Sequence, residues 1–360
     1  MPFRLPPIYP SVKEVRAEDT GWSVKAIDAP SVWPLTKGEG VTVAVIDTGV
    51  DASHRDLQGQ VVKRIDLTGD PAPDHYHGTH VAGIIAANGD GTGRMTGVAP
   101  AAKLLDVRVL SSQGSGSDDW VAKGVLAAVE NGADVINMSL GGPDDYAPLH
   151  EAVKKAVNAG VIVVCAAGNE GSGPDTIGYP GRYNETIAVT AVDENRNRAF
   201  FSSTGPEADV AAPGVDVPST LPNNRYGFLS GTSMAAPHIA GCMALWASLQ
   251  KKTGRKPLFQ EWYNFVTRNV IDLEASGFDP DTGFGLFTWQ KGVLAVAHKI
   301  VMTIGQIAYE VNGQERQMDV APIIVEPGRT LVPVRFVAEG LGASVSWDGG
   351  KQQVTILMPR

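Results

Sequence analysis

The sequence predicts an α/β fold of three layers, with a mostly parallel central sheet between helices, followed by a small C-terminal α+β unit. Three observations carry this prediction. Residues 41–46, 104–110, 134–138, 161–166 and 186–192 are short β-branched runs with few polar positions, which suits strands buried on both faces. Helical stretches separate them, at 79–88, 119–131, 149–158 and 233 to about 251. After residue 300 the pattern shifts to short alternating segments (307–311, 345–347, 353–357) around one helical stretch at 334–340.

The elements follow in order. The first ~20 residues contain Pro2, Pro6, Pro7 and Pro10, and proline fixes φ and removes a donor, so they read as an extended arm. In 149–158, Ala152, Val153, Ala156 and Val157 recur at helical spacing, with Lys154 and Lys155 between them. Gly132 and Gly160 follow their helices as terminators. Strand–helix–strand repetition implies parallel pairing. The C-terminal unit is near the lower size limit for folding alone. The expected division is an arm at 1–21, a large domain at 22–298 and a tail at 302–358.

Composition narrows the function classes. With 43% apolar and 19% charged residues, the chain can bury a large core. A net charge of −9 argues against nucleic acid or an anionic membrane surface as partner. No apolar run is long enough for a transmembrane helix, and the N-terminus lacks the apolar stretch of a signal peptide. Two cysteines exclude a disulfide-dense scaffold. Cys165 and Cys242 both lie in apolar surroundings and read as inert thiols, so a cytoplasmic setting is expected.

Four segments bring reactive groups to strand or helix ends. Asp47 ends the apolar run Val43-Ala-Val-Ile-Asp-Thr-Gly49. His77 precedes a small-residue helix in His77-Gly-Thr-His-Val-Ala-Gly83, and Ser233 opens a helix in Gly231-Thr-Ser-Met-Ala-Ala-Pro-His238, with Pro237 in its first turn. A serine hydroxyl needs a base to take its proton, and the base needs a carboxylate to hold its tautomer. A helix N-terminus adds positive potential where an oxyanion forms. Asn169, in Ala166-Ala-Gly-Asn-Glu-Gly171, can donate to that oxyanion, with the Ser233 N–H as second donor.

These four motifs, in their order along the chain (around Asp47, His77, Asn169 and Ser233), resemble the subtilisin-type serine proteases (subtilases), and nearest the intracellular ones, over residues ~22 to ~298. The resemblance implies a subtilisin-like fold and a serine endopeptidase acting on proteins or peptides through an acyl-enzyme. Ser233 is then the nucleophile, His77 the base, Asp47 its orienter and Asn169 the oxyanion donor. It also implies two substrate-clamping edges, Gly114-Ser115-Gly116 and Ser139-Leu140-Gly141-Gly142, where glycine lets a peptide backbone approach. Glu170 and Gly178 match the side-chain pocket that follows. Asp74-His75-Tyr76-His77 departs from relatives that have glycine before the histidine, leaving the neighbouring subsite open.

A structural calcium ion is expected from Asn88, Asp90 and Thr92, oxygen-bearing side chains at every second position of a glycine-rich loop. The resemblance adds Asp56 to that site and, for a weaker one, Glu207 and Asp209. Asp279, Asp281 and Gly283 spell a fragment more typical of a turn. Two competing functions are weighed. In one, His75, His77 and His80 hold zinc for a metal-assisted hydrolase; in the other, the chain is a binding protein on an inactive protease scaffold. Zinc leaves the serine and asparagine segments without a role, and an inactive scaffold would not keep all four catalytic positions filled.

The resemblance further implies that Arg4-Leu5-Pro6-Pro7-Ile8-Tyr9 lies across the active site as an inhibitory arm. Pro327 to Gly342, followed by Ser346-Trp347-Asp348, resembles the stalk domain named for copper amine oxidases. That segment has no histidine to bind copper. Such modules favour an exported, envelope-associated protein, the alternative to the cytoplasmic expectation. A homodimer and envelope contact are left open as further partners.

Overall fold

The structure is a computed structural model, and it describes residues 3–5, 9–11, 21–89, 94–252, 254, 258–289, 300–311, 314–326, 329–340, 343–348, 350 and 353–357. It divides into two compact units, Met1–Val293 and Leu294–Arg360.

The strands of the first unit are β1 (Phe3–Arg4), β2 (Tyr9–Ser11), β3 (Thr42–Asp47), β4 (Val61–Asp66), β5 (Lys103–Arg108), β6 (Ser115–Gly116) and β7 (Val135–Met138). They continue with β8 (Ile162–Ala166), β9 (Ile187–Val192), β10 (Val210–Pro213), β11 (Val217–Leu221), β12 (Arg225–Ser230), β13 (Val270–Ile271) and β14 (Leu286–Phe287). The helices are α1 (Trp22–Ala26), α2 (Tyr76–Ala86), α3 (Asp118–Glu130), α4 (Ala147–Asn158), α5 (Thr232–Lys252) and α6 (Phe259–Arg268).

Nine strands form one sheet in the order β13-β14-β10-β9-β8-β7-β3-β5-β4. Every neighbouring pair is parallel except β13 with β14. The two-residue side-chain period explains the layers. Ala44, Ile46, Leu105, Val107, Ile136, Met138, Val163 and Cys165 share one core with Val121, Val125, Leu149 and Val153 of α3 and α4. Their alternates, Val43, Val45, Leu104 and Val135, are just as buried and face the other way, towards α2 and α5. Asp47 has the parity of Val43 and Val45, so strand pleating alone turns its carboxylate to the α2 face. The three-layer α/β architecture expected from the sequence is therefore present.

Gly132 and Gly160 have φ of +74° and +81°, as helix terminators there require. Both cysteines are buried, free thiols, and burial pushes their pKa values up. Two expectations need correction. Helix α2 begins at Tyr76 instead of residue 79, so His77 lies inside it, because the His75 ring caps it by accepting from His77 N–H. Pro237 is the sixth residue of α5, beyond the first turn. The N–H it lacks would have bonded the Ser233 carbonyl four residues back, and that carbonyl accepts from Ser139 Oγ instead (2.9 Å).

In the second unit, β15 (Ile300–Met302), β16 (Ala308–Val311) and β17 (Gln314–Gln317) form an antiparallel sheet. Two hairpins follow, β18 (Ile323–Val325) with β19 (Arg329–Leu331), and β20 (Ser344–Asp348) with β21 (Gln353–Leu357), on either side of α7 (Val334–Gly340). Its described core is small: Tyr309, Val311 and Met318, with Ile300, Met302 and Phe336 against them.

Candidate active site

Strand β3 delivers Asp47 to the start of α2, where His77 Nδ1 lies 2.8 and 3.0 Å from the two Asp47 carboxylate oxygens. Both side chains are fully buried. A carboxylate only accepts, so the shared proton sits on Nδ1 and a neutral ring keeps its lone pair on Nε2. Among the described residues, Nε2 has no hydrogen-bond partner. Thr48 latches the strand end to the helix: its hydroxyl accepts from Gly78 N–H (3.0 Å) and donates to the His75 carbonyl (3.1 Å). Gly78 is required at that seam, since a Cβ there would lie 2.3 Å from the Gly49 carbonyl oxygen. The His75 ring accepts from His77 N–H at 3.3 Å, which needs a neutral imidazole. Burial, aided by the neighbouring His77, lowers the His75 pKa and so favours that form.

Ser233 is the second residue of α5 and is buried. Its hydroxyl donates to the Ser139 carbonyl at 3.2 Å, not to His77. Asn169 follows β8 and is oriented by Thr232, whose N–H and hydroxyl both donate to Asn169 Oδ1 (2.9 and 2.8 Å). A backbone N–H cannot accept, so Nδ2 is fixed on the opposite side, against Gly231.

Between the predicted substrate edges lies the N-terminal segment itself. Phe3 pairs antiparallel with Gly116 and Arg4 with Ser115. On the other side Arg4 N–H donates to the Gly141 carbonyl (3.2 Å) and Gly141 N–H to the Arg4 carbonyl (3.3 Å). Leu5 N–H donates to the Gly114 carbonyl at 2.9 Å. Gly114 has φ +70°, and a Cβ there would lie 2.9 Å from the Leu5 side chain. Phe3 is 1% exposed and packs into the core that contains Leu110 and Leu140, with Gly142 beside its ring. Beyond Leu5 opens a cavity of about 770 Å³, with Leu140, Gly142, Ala166, Glu170, Asp175 and Gly178 among its lining. Glu170 Oε2 accepts from Ser203 Oγ at 2.8 Å, and Arg182 pairs with Asp175. Gly114, Ser115, Gly116, Ser139, Leu140, Gly141, Gly142, Glu170 and Gly178 thus lie around one cleft.

The cation candidates stand differently. Subtilases generally bind structural calcium, but here Asp56 and Asn88 converge on the Arg94 guanidinium. Asp90 and Thr92 lie outside the described residues. Asp209 accepts from Tyr263 Oη (2.6 Å) and Ala188 N–H (2.7 Å), and burial raises its pKa to about 6. Glu207 sits 3.8 Å from Arg182. Asp279 Oδ1 accepts from the N–H groups of Asp281 and Thr282, which makes that fragment a turn. The rings of His75, His77 and His80 do not converge; His80 Nε2 faces the Gly227 carbonyl at 3.2 Å, and burial drives its pKa down to about 3.

Four participants escaped the sequence reading. Thr48 and Thr232 lie inside the motifs, next to the reactive residues, where the sequence does not signal their roles. His75 was weighed only as a zinc ligand. Arg94 carried no signal, since nothing in one sequence shows which carboxylate an arginine will meet.

Comparison with known proteins identifies the family. The Subtilase family model matches residues 38–279, and the Copper amine oxidase N-terminal domain model matches residues 291–356. The chain is 45% identical over 272 residues to an intracellular serine protease of Paenibacillus polymyxa, covering 72% of this chain and 83% of that protein. It is 44% identical over 295 residues to the major intracellular serine protease of Bacillus subtilis (strain 168), covering 78% and 92%. Against subtilisin E of the same organism the identity is 48% over 234 residues, covering 64% of this chain and 61% of that protein. The chain belongs to the subtilase family.

Proposed function

We propose that Asp47, His77 and Ser233 are the triad, and Asn169 the oxyanion donor, through which this subtilisin-type serine endopeptidase cleaves proteins. The observation that supports these roles best is the buried Asp47–His77 pair, in which His77 Nδ1 faces the carboxylate and Nε2 has no partner among the described residues. In this proposal the Ser233 hydroxyl leaves the Ser139 carbonyl by a change of side-chain rotamer and turns to the His77 Nε2 lone pair. Hydrogen bonds of this kind commonly align only once substrate is bound. As Ser233 Oγ attacks the peptide carbonyl carbon, its proton passes to Nε2, and the oxyanion meets the α5 N-terminus and Asn169 Nδ2. Collapse expels the amine, which takes the proton from His77, and water repeats the sequence on the ester. Incubation with casein and a serine-directed covalent inhibitor tests this. Cleavage should stop with one adduct on Ser233; inhibitor-insensitive cleavage would overturn it.

Replacing Asn169 with alanine should lower kcat by about 10²–10³ while KM changes little, a size known for the oxyanion asparagine of subtilisin and carried over through the family. Steady-state kinetics on a chromogenic peptide measures both constants. A fall confined to KM would remove Asn169 from the transition state.

The same proposal makes the arm an occupant of the substrate site. Phe3, Arg4 and Leu5 bond to both edges as an extended peptide would, and the next two residues are Pro6 and Pro7. Deleting residues 1–18 should abolish any lag in the progress curve and raise the initial rate. Equal initial rates with and without the arm would refute inhibition. For setting, the two relatives named as intracellular and the two free thiols support a cytoplasmic enzyme, while the C-terminal unit is the feature that favours export. Among the described residues, no helix is long and apolar enough to cross a membrane.

A further inference from the structure

We infer that in this chain an arginine side chain does the tying that the family resemblance assigns to calcium, so that its fold is held without the metal. The fully buried Asp56 carboxylate accepts from Arg94 Nε (2.9 Å), Met95 N–H (2.9 Å) and Tyr226 Oη (2.7 Å). The other limb of the same guanidinium donates to Asn88 Oδ1 (2.9 Å) and to the Arg55 carbonyl. Asn88 is held as well by its N–H to the Asp56 carbonyl (2.8 Å) and by Nδ2 to the Gln58 carbonyl (3.1 Å). One planar fork therefore spans Asp56 and Asn88, the two described side chains expected to hold the metal.

The donor chemistry does not suit calcium. Calcium takes six to eight oxygens at about 2.3–2.6 Å. Here the oxygens are arranged around N–H and O–H donors at longer, hydrogen-bonding distances. The charge count also disfavours it. Among the described residues, Asp56 supplies one negative charge, Arg94 pairs with it, and Arg55 Nε lies 3.8 Å from the same carboxylate. A dication entering beside Arg94 would be repelled by the guanidinium already paired with Asp56. A guanidinium is charged at every working pH and cannot be stripped by a chelator.

Full-length protein carrying Ser233→Ala, which prevents self-digestion, allows the test by thermal unfolding. The midpoint should be the same in excess EDTA and in millimolar calcium chloride. Adding Arg94→Ala should lower it by about 5–10 °C in either solution, because Asp56 is left buried without its cation. A midpoint that falls on chelation while Arg94 is present would overturn the inference. So would an Arg94→Ala midpoint equal to that of its parent. If Arg94→Ala fails to fold, the chelator comparison on the Arg94 protein decides the question by itself. These readouts are independent of catalysis, so failure here leaves the proposed triad untouched.

Discussion

Replacing Ser233 with alanine should lower kcat on a peptide substrate by a factor on the order of 10⁶, the size known for subtilisin and carried over by family membership. The fold should persist. Ser233 Oγ makes one 3.2 Å hydrogen bond, to Ser139, whereas α5 is cross-tied to that segment by a bond of its backbone carbonyl, which alanine keeps. Active-site titration and circular dichroism on one preparation separate the two effects. A variant that keeps most of its activity would end the serine mechanism.

Asp47→Asn is the second large effect, with a fall in kcat of roughly 10⁴ expected from the same change in another serine protease triad. The volume is conserved, so burial and packing survive. What changes is the direction of a proton. An asparagine amide turned to His77 Nδ1 can donate, which leaves the ring proton on Nε2, where the serine proton must arrive. Thr48 N–H donates to Asp47 Oδ1 at 2.7 Å, which holds an asparagine oxygen at that position and puts the amide nitrogen at the Oδ2 position, 3.0 Å from His77 Nδ1. The expected signature is loss in kcat with little change in KM. Wild-type kcat in Asp47→Asn would show that the carboxylate is not the orienter.

The middle strands of the central sheet were readable because they are buried on both faces, which left a mostly apolar run in each. Strand β4 was not readable. It is an edge strand, Val-Val-Lys-Arg-Ile-Asp, mostly exposed, and its lysine and arginine hide it from a search for apolar runs. Strand β10, Val-Ala-Ala-Pro, is too short and contains a proline. Helix α6 carries its buried Trp262 and Val266 four residues apart, but Tyr263 and Phe265 between them blur the helical period over only ten residues. At the site, Asp47, His77, Ser233 and Asn169 were legible because each lies at, or within three residues of, the start or end of a regular element. The groups that orient them were not. Thr48 and Thr232 act through hydrogen bonds between segments 30 and 63 residues apart in sequence, and no local pattern encodes such a partner. The loop around Asn88 read as a metal site for the same reason, since its oxygens are local and the arginine that meets them is fixed by the fold.

Strands β1 and β2 attach the arm to the catalytic unit at two places, at the β6 edge and at β12. A segment tethered in this way has an effective concentration near its site of millimolar order, whatever the dilution of the protein. Dilution alone therefore cannot empty the cleft, and a free peptide of the same sequence at micromolar concentration would compete poorly for it. Cutting the chain between the cleft and residue 21 removes that advantage, because the released piece is diluted into bulk solution. The covalent connection, more than the fit of Phe3 or Leu5, decides whether the cleft stays filled.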